Sequence, residues 1–435
     1  MLHKDGLSVI STLASHKHFI TTCILGLLTF SYIFTLSNIT YIILGASILY
    51  VIYGYRKDAN IRQLTMHIWR HCHIFFLLMI VTGVAWAAGT AYMGGSIKLV
   101  SQRMEWMIYP LFLGCFWSCL CPNAASTIKK VAAGSLLFIF GNIIYQAEVL
   151  HISRPFEWLS RDYCNTIAGI IGFLLFAFVT TDWNTNKRYK ALTGFLFVGA
   201  LATLAVLQTR GALLGVAVAF GAVIIYGLAC YIRKSALLVS KFVYVLLVCG
   251  MLGAGGLVMQ SHSVVERTMS SVVAFQQIYI RGMTVNSQNA NVAFKGGGDR
   301  VFLWRSAIDM IQDRPAVGVG TSRFNDVYAK EYMLPQARER NLKSPHNIFL
   351  HILVENGCIG YIPYVCLLGY LIAYLIRSMK NRNCQAAAVL FGFLVVLTQG
   401  MVDWPFLQRE LSQLVWFFVS FVVAENIKRF QNKGD

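Results

Sequence analysis

Two arginines of the chain lie at positions suited to binding an anion, one in a short turn and one at the start of a helical stretch within a long polar segment. Arg210 lies in a turn of a few residues between two apolar runs and is followed by Gly211, which would allow a close backbone approach. Arg300 begins a stretch with helical periodicity. A guanidinium group carries a rigid fork of N–H donors that matches a phosphate. We therefore predict that Arg210 and Arg300 bind an anion of this kind.

One histidine is a candidate general base. His346 follows a proline at the start of a long apolar run. A neutral imidazole accepts a proton near pH 7, which is the chemistry needed to activate a hydroxyl group. His351 and Glu355 follow on the same predicted helix, at about 140° and about 180° around its axis. The periodicity therefore does not predict that either of them shares a site with His346.

Each of these residues also has a structural interpretation. Arg210 could snorkel to a membrane interface, Arg300 could be a solvated loop charge, and His346 could cap or pack a helix. Asp403 opens another short loop, where its carboxylate could pair with an arginine. Three residues are therefore secondary candidates at the same site: Asn347, Trp304 and Asp403.

Motifs for metal and nucleotide chemistry are missing from the sequence. It has no Asp-x-Asp of metal-dependent sugar-nucleotide transferases, no P-loop and no Gly-x-Ser-x-Gly elbow. Cys119 and Cys121 lack partner ligands for zinc, and the His67, His71 and His73 spacing is a weak metal signal. We predict that the site uses neither a metal ion nor a cofactor.

The composition is that of a membrane protein. Of the 435 residues, 57% are hydrophobic and 13% charged, against about 25% charged in soluble domains. The net charge of +18 fits basic loops and anionic lipids better than nucleic acid. We predict an all-α polytopic protein with about 12 transmembrane helices of about 20 residues each. The candidate runs are 18–36, 38–54, 73–92, 106–122, 128–148, 164–181, 190–208, 212–232, 240–260, 347–376, 385–402 and 411–426.

The distribution of Lys and Arg predicts the topology. With twelve spans, one set of short loops and tails carries 20 basic residues and the opposite set carries 6. Because cytoplasmic loops are enriched in Lys and Arg, both termini are predicted to be cytoplasmic. Arg210, Arg300 and His346 then all lie on the far side of the membrane.

The predicted spans divide the chain into three regions. Residues 1–260 contain spans 1–9, residues 261–345 form one large polar loop, and residues 346–435 contain spans 10–12 and a cytoplasmic tail. Within the loop, 299–313 is predicted to be an amphipathic helix that lies at the membrane interface. Its apolar stripe is predicted to contain Val301, Trp304, Ile308 and Ile311.

Taken together and in this order, the motifs resemble those of the O-antigen ligase family of Gram-negative inner membranes. The resemblance covers about 200–410, and the earlier spans match only as a row of apolar helices. It rests on the following residues: Thr209-Arg210 in a turn between spans, Gly298, Arg300 and Trp304 in a large periplasmic loop, and then His346-Asn347, Leu350, Glu355 and Gly357.

The resemblance implies glycosyl transfer at the periplasmic face of the inner membrane. The donor would be an undecaprenyl-diphosphate-linked O-polysaccharide and the acceptor a sugar hydroxyl of lipid A–core, in lipopolysaccharide biosynthesis. Because the donor is already activated, neither ATP nor a metal ion is required. In this interpretation His346 is the base, Arg210 and Arg300 hold the diphosphate, and direct attack inverts the anomeric centre.

Two alternatives remain open at this point. An O-antigen polymerase of the same superfamily would use the same donor but extend another lipid-linked repeat. A polysaccharide-lipid transporter would also have about twelve spans, but transporters place polar groups at mid-membrane. Here the span interiors are nearly free of charge, which disfavours transport.

Overall fold

The computed structural model describes residues 5–34, 36–149, 210–232, 299–334, 344–381, 383–402 and 408–433, with a few isolated residues between them. Within these ranges the chain is helical and has no β-strand, so the predicted all-α fold is confirmed there. The helices of this part are α1 (Asp5–Ile33), α2 (Ser37–Lys57), α3 (Ala59–Tyr92), α4 (Ile97–Leu120), α5 (Ala124–Ile144), α6 (Arg210–Ile232), α7 (Asp299–Asp313), α8 (Phe324–Val327), α9 (Ile348–Lys380), α10 (Cys384–Gly400) and α11 (Arg409–Lys433). Two π-helical turns follow α5 and α8, at Tyr145–Val149 and Tyr328–Tyr332.

The helices account for most of the predicted spans. Helices α1 to α6 and α9 to α11 overlap nine of them, whereas 164–181, 190–208 and 240–260 lie outside the described residues except for Gly172, Phe195 and Leu196. Five helices in the described ranges are long and apolar enough to cross a membrane, namely α2, α3, α5, α9 and α11. The chain is therefore a helical membrane protein, and the count of twelve spans stays a prediction.

Helix α3 is longer than a membrane is thick. Its 34 residues extend over about 51 Å, whereas the hydrocarbon core of a bilayer measures about 30 Å. Asp58 caps its start by accepting a hydrogen bond from the Asn60 N–H. The predicted span 73–92 is therefore the second part of the helix, and the first turns, with Arg62 and Arg70, extend beyond it.

The helices pack as a bundle whose outer surface is apolar. Helix α4 packs against α11, α3 against α9, and α6 against α10. Trp86, Trp416 and Phe75 are buried between them, while Ile42 and Leu49 on α2 are exposed. Large exposed apolar side chains on long helices are what a lipid environment requires, because lipid tails replace water around them.

Helix α7 spans the predicted residues but buries a different stripe. Its innermost side chains are Leu303, Ala307 and Met310, which form a small core with residues 319–328 and the start of α9. Trp304, Ile308 and Ile311 of the predicted stripe are only half-buried. The buried face of α7 is shifted by one position from the predicted face, because the loop that follows α7 packs against that side of the helix. Hydrophobic periodicity along α7 carries no information about this loop.

Helix α9 is not the single continuous span that the apolar run 347–376 predicts. Gly357 has a non-helical backbone (φ 55°, ψ −171°) that separates 348–356 from 358–380. The N–H groups of Val319 and Gly320 donate to the carbonyls just before the break, at 2.9 and 2.8 Å. The N–H groups of Cys358 and Ile359 donate to the carbonyls of residues 315 and 316, at 2.8 and 3.1 Å. The loop after α7 thus satisfies the backbone groups that the break releases, as an interior site in a membrane protein requires.

The two ends of the bundle gather different loops. At one end, the last turn of α3, the starts of α4, α6 and α9 and the end of α10 lie together with residues 314–323. At the other end, the end of α11 contacts the end of α4 and the start of α10. These two ends correspond to the two sets of loops that differ in their number of Lys and Arg residues. Which of the two sets faces the cytoplasm stays a prediction. The contacts at the first end are Thr90–Thr321, Arg103–Ser322, Gly211–Val402 and Asn347–Met401, and those at the second are Cys121–Lys428 and Asn383–Asn426.

Candidate active site

Helix α7 holds the chain segment that carries His346. Arg300 and Trp304 are one turn apart on this helix and so lie on the same side of it. The Trp304 indole N–H donates to the Pro345 carbonyl at 2.8 Å. The half-buried Trp304 therefore fixes the backbone directly before His346, which makes it a supporting residue of the site.

His346 and Asn347 form the entry to α9. His346 has a left-handed backbone (φ 51°), which is uncommon outside glycine but tolerated by Asn, Asp and His. Its N–H donates to the Ser344 hydroxyl at 3.1 Å. Asn347 caps the helix, since its side-chain oxygen accepts from the N–H groups of Phe349 and Leu350. The constrained turn fixes the backbone from which the His346 side chain projects.

The end of α10 joins these two segments. Arg300 Nη1 donates to the Val402 carbonyl at 2.5 Å, and Asn347 Nδ2 donates to the Met401 carbonyl at 3.0 Å. Carbonyls at a helix C-terminus carry partial negative charge, so they attract both donors. Residues 399–402, which we call the α10 hub, thus hold the α7 motif and the α9 motif side by side. No sequence motif marks this hub, because its hydrogen bonds to Arg300 and Asn347 use backbone carbonyls.

Arg210 is the first residue of α6, and its side chain is outside the described part. The neighbouring residue Gly211 shows where this end of the helix lies. A Cβ added at Gly211 would be 3.1 Å from Val402 Cγ2 and 3.3 Å from Gln399 Cγ. The start of α6 therefore packs against the α10 hub as well. The three predicted segments, which start at Arg210, Arg300 and His346, meet at one place although they are far apart in the sequence.

The last candidate, Asp403, lies outside the described residues and directly follows the hub. Among the residues that the structure describes, no three metal-binding side chains are grouped. The described part of the site contains the half-buried guanidinium group of Arg300 and the imidazole group of His346 on its constrained turn. The start of α6 lies beside them. Such an arrangement can hold an anionic group next to a proton acceptor.

A buried ion pair lies next to the site, and the sequence patterns did not predict it. Arg103 Nη1 of α4 lies 2.8 Å from Glu355 Oε2, and His351 Nε2 lies 3.2 Å from the same oxygen. The Glu355 and His351 side chains are 1% and 2% exposed. Their i,i+4 spacing was a usable signal for half of this cluster. Arg103 is one of the 6 basic residues counted in the less basic set of loops, and nothing local links it to Glu355, 252 positions away.

Other contacts join α3 to the same region. The Thr90 hydroxyl donates to Thr321 Oγ1 at 3.0 Å, and the Thr321 hydroxyl donates to Asn356 Oδ1 at 2.7 Å. The Trp86 indole N–H donates to the Gly360 carbonyl at 3.0 Å. Helices from the first half of the chain therefore contact the loop after α7 and both sides of the break in α9.

Comparison with known proteins finds a family match in the central part of the chain. Residues 195–365 match a family model described as O-Antigen ligase. The match includes the segments of Arg210, Arg300 and His346 and ends after the break in α9, so it confirms the resemblance seen in the motifs. A search of curated proteins gave no match to the chain.

Proposed function

The chain carries an O-antigen ligase family domain, and from this premise we propose that it is an O-antigen ligase. It transfers O-polysaccharide from undecaprenyl diphosphate to a sugar hydroxyl of lipid A–core. The observation that carries the proposal is the α10 hub, which joins the Arg300 helix, the His346 turn and the start of α6 at Arg210. The reaction requires groups that bind the diphosphate of the donor and a group that accepts the proton of the acceptor hydroxyl.

The reaction needs one bond to form and one to break. The acceptor oxygen attacks the anomeric carbon of the donor sugar while His346 takes the hydroxyl proton. The bond from that carbon to the diphosphate oxygen breaks, and undecaprenyl diphosphate leaves with the electron pair. Arg210 and Arg300 stabilise the negative charge that grows on the leaving group. Attack from the face opposite the leaving group inverts the anomeric centre.

The location follows from the same proposal. Lipid-linked donor and lipid A–core both expose their sugars at the periplasmic leaflet of the inner membrane, so the end of the bundle with the α10 hub faces the periplasm. The more basic end, with the end of α11, then faces the cytoplasm, in agreement with the excess of Lys and Arg there. The N-terminus is placed on the cytoplasmic side as well.

The test is a reconstituted ligation. The purified protein is mixed with lipid-linked O-polysaccharide and lipid A–core in EDTA without ATP, and high-mass lipopolysaccharide is followed on a gel. We expect a ladder with the native protein and a rate about 100- to 10,000-fold lower with His346→Asn. Asparagine is chosen because it tolerates the left-handed backbone at this position. His73→Asn, at an exposed position on α3, is the matched control and should ligate normally.

A second product would distinguish the polymerase, which the family match also allows. If well-folded protein elongates lipid-linked repeats and leaves lipid A–core unmodified, the chain is a polymerase of the same superfamily. If the His346→Asn variant ligates at the native rate, the assignment of the base is wrong.

A further inference from the structure

Arg103 lies on α4, outside residues 195–365, but its side chain contacts two residues within that range. The side chain is 10% exposed. Besides the contact with Glu355, its Nη2 donates to the Ser322 hydroxyl at 3.1 Å. One guanidinium group therefore links α4 to α9 and to the loop after α7, and the planar fork of arginine suits this bridging.

The burial of Glu355 makes this contact important. An ionised carboxylate inside a membrane protein is costly unless an opposite charge and hydrogen bonds compensate it. Arg103 supplies that charge, while His351 lies against the same oxygen. A solvent-exposed pair such as Arg314–Glu331 contributes little by comparison.

The break at Gly357 explains why the site needs such a contact. Residues 348–356 are separated from the rest of α9 by the break, so the continuous helix 358–380 does not fix their orientation. Their orientation depends on lateral contacts instead. Next to the break at Gly357, the lateral contacts of this segment are the backbone hydrogen bonds to residues 319 and 320, the Thr321–Asn356 contact and the Arg103–Glu355 ion pair. His346 and Asn347 lie at the opposite end of this short segment.

We propose that Arg103 is a positioning residue for glycosyl transfer. Through Glu355 and Ser322 it holds residues 348–356, and with them the His346 turn, against α7 and the α10 hub. The first half of the chain then contributes directly to the geometry of the site. This inference rests on the proposed function for its kinetic readout and is independent of it for its structural readout.

The experiment compares Arg103→Gln, Arg103→Lys and the control Arg314→Gln in the full-length protein. Ligation kinetics are measured per folded molecule, and amide hydrogen exchange of detergent-purified protein is followed by mass spectrometry. We expect Arg103→Gln to lower kcat by about tenfold to a hundredfold, because small displacements of a catalytic group have effects of this size. The KM for donor should change by less than about threefold, since donor binding does not use Arg103. Exchange should become faster in 317–323 and 348–356 and stay unchanged in α11.

Arg103→Lys should recover part of kcat, because an ammonium group can contact Glu355 but does not reproduce the fork to Ser322. Arg314→Gln should leave both readouts unchanged. A native kcat in folded Arg103→Gln would overturn the proposal. So would a lower kcat with native exchange in 317–323 and 348–356.

A paired variant covers the case in which Arg103→Gln does not fold. Arg103→Gln with Glu355→Gln leaves no uncompensated charge, and a folded double variant with low kcat supports positioning. A folded double variant with native kcat shows a purely structural role and overturns the proposal. If neither amide variant folds, native kcat in Arg103→Lys overturns it and a reduced kcat with faster exchange supports it. If the native protein makes no ligation product, the proposed function fails, while the exchange pattern still tests the positioning role.

Discussion

At the scale of single residues, Arg300 connects the scaffold to the proposed chemistry. A guanidinium group has five N–H donors in a planar fork, and in Arg300 one of them goes to the carbonyl of Val402. That contact fixes the half-buried side chain at the end of α10. A charged group fixed in advance stabilises a developing negative charge better than a mobile one, because it does not have to reorganise during the reaction.

Arg300→Lys tests whether the fork itself is needed. A lysine keeps the charge but cannot offer a planar set of donors to both a carbonyl and a phosphate. We expect kcat/KM for the lipid-linked donor to fall about tenfold, equivalent to about 1.4 kcal/mol, with unchanged membrane insertion. Arg305→Lys is the control, because Arg305 pairs with Asp309 on an exposed face of the same helix. An unchanged kcat/KM for the donor in ligation kinetics would contradict the diphosphate role.

At the scale of elements, the break in α9 joins the long loop to the bundle. Four backbone hydrogen bonds cross between residues 315–320 and the two sides of Gly357. A side chain at Gly357 would place its Cβ 2.2 Å from the Ala316 carbonyl oxygen, and the backbone there has φ 55°. Glycine is therefore required for close approach and for conformation alike.

Gly357→Ala should destabilise the protein by about 2–4 kcal/mol, from left-handed backbone strain and overpacking together. Thermal unfolding in detergent measures the effect. Gly369→Ala on the same helix is the matched control, because a Cβ there meets nothing within 4 Å. Alanine is also the better helix former, so the control should be neutral or slightly stabilised. Equal melting temperatures for the two variants would show that the break is not a structural requirement.

At the scale of the whole molecule, polar contacts concentrate at two opposite ends of an apolar bundle. One end holds the α10 hub and the Arg103–Glu355 pair. The other holds a smaller cluster in which Asn426 donates to Tyr374 and Ser378 and accepts from Asn383. A lipid-facing belt between two such ends puts them at opposite membrane surfaces, and the proposed site belongs to one of these ends.

Cysteine labelling tests which surface that is. We expect Lys330→Cys, at the end with the α10 hub, to react with a membrane-impermeant maleimide in intact spheroplasts. Asn381→Cys, at the other end, should react only after permeabilisation. Both positions are exposed, so a difference in labelling reports sidedness rather than burial. The reverse pattern would invert the proposed orientation and place the site in the cytoplasm.

Much of this molecule was determined by local features of the sequence. The bounds of α7, the positions of nine apolar helices and the candidate residues Arg210, Arg300 and His346 follow from apolar periodicity and from charges beside turns. These signals are local, because a helix satisfies its own backbone and a bilayer demands apolar side chains along it. The Asp309 partner of Arg305 was also predictable, since residues four apart on a helix are neighbours.

The tertiary structure decided which of these residues meet. The α10 hub acts through backbone carbonyls, which carry no sequence signature. Glu355 takes its charge partner from Arg103, 252 positions earlier, and the packing of α3 against both α4 and α9 brings them together. The break at Gly357 arises because residues 315–320 supply the hydrogen bonds that a straight helix would have made internally. The choice of partner depends on which segments are close in space, and periodicity along one segment holds no information about that.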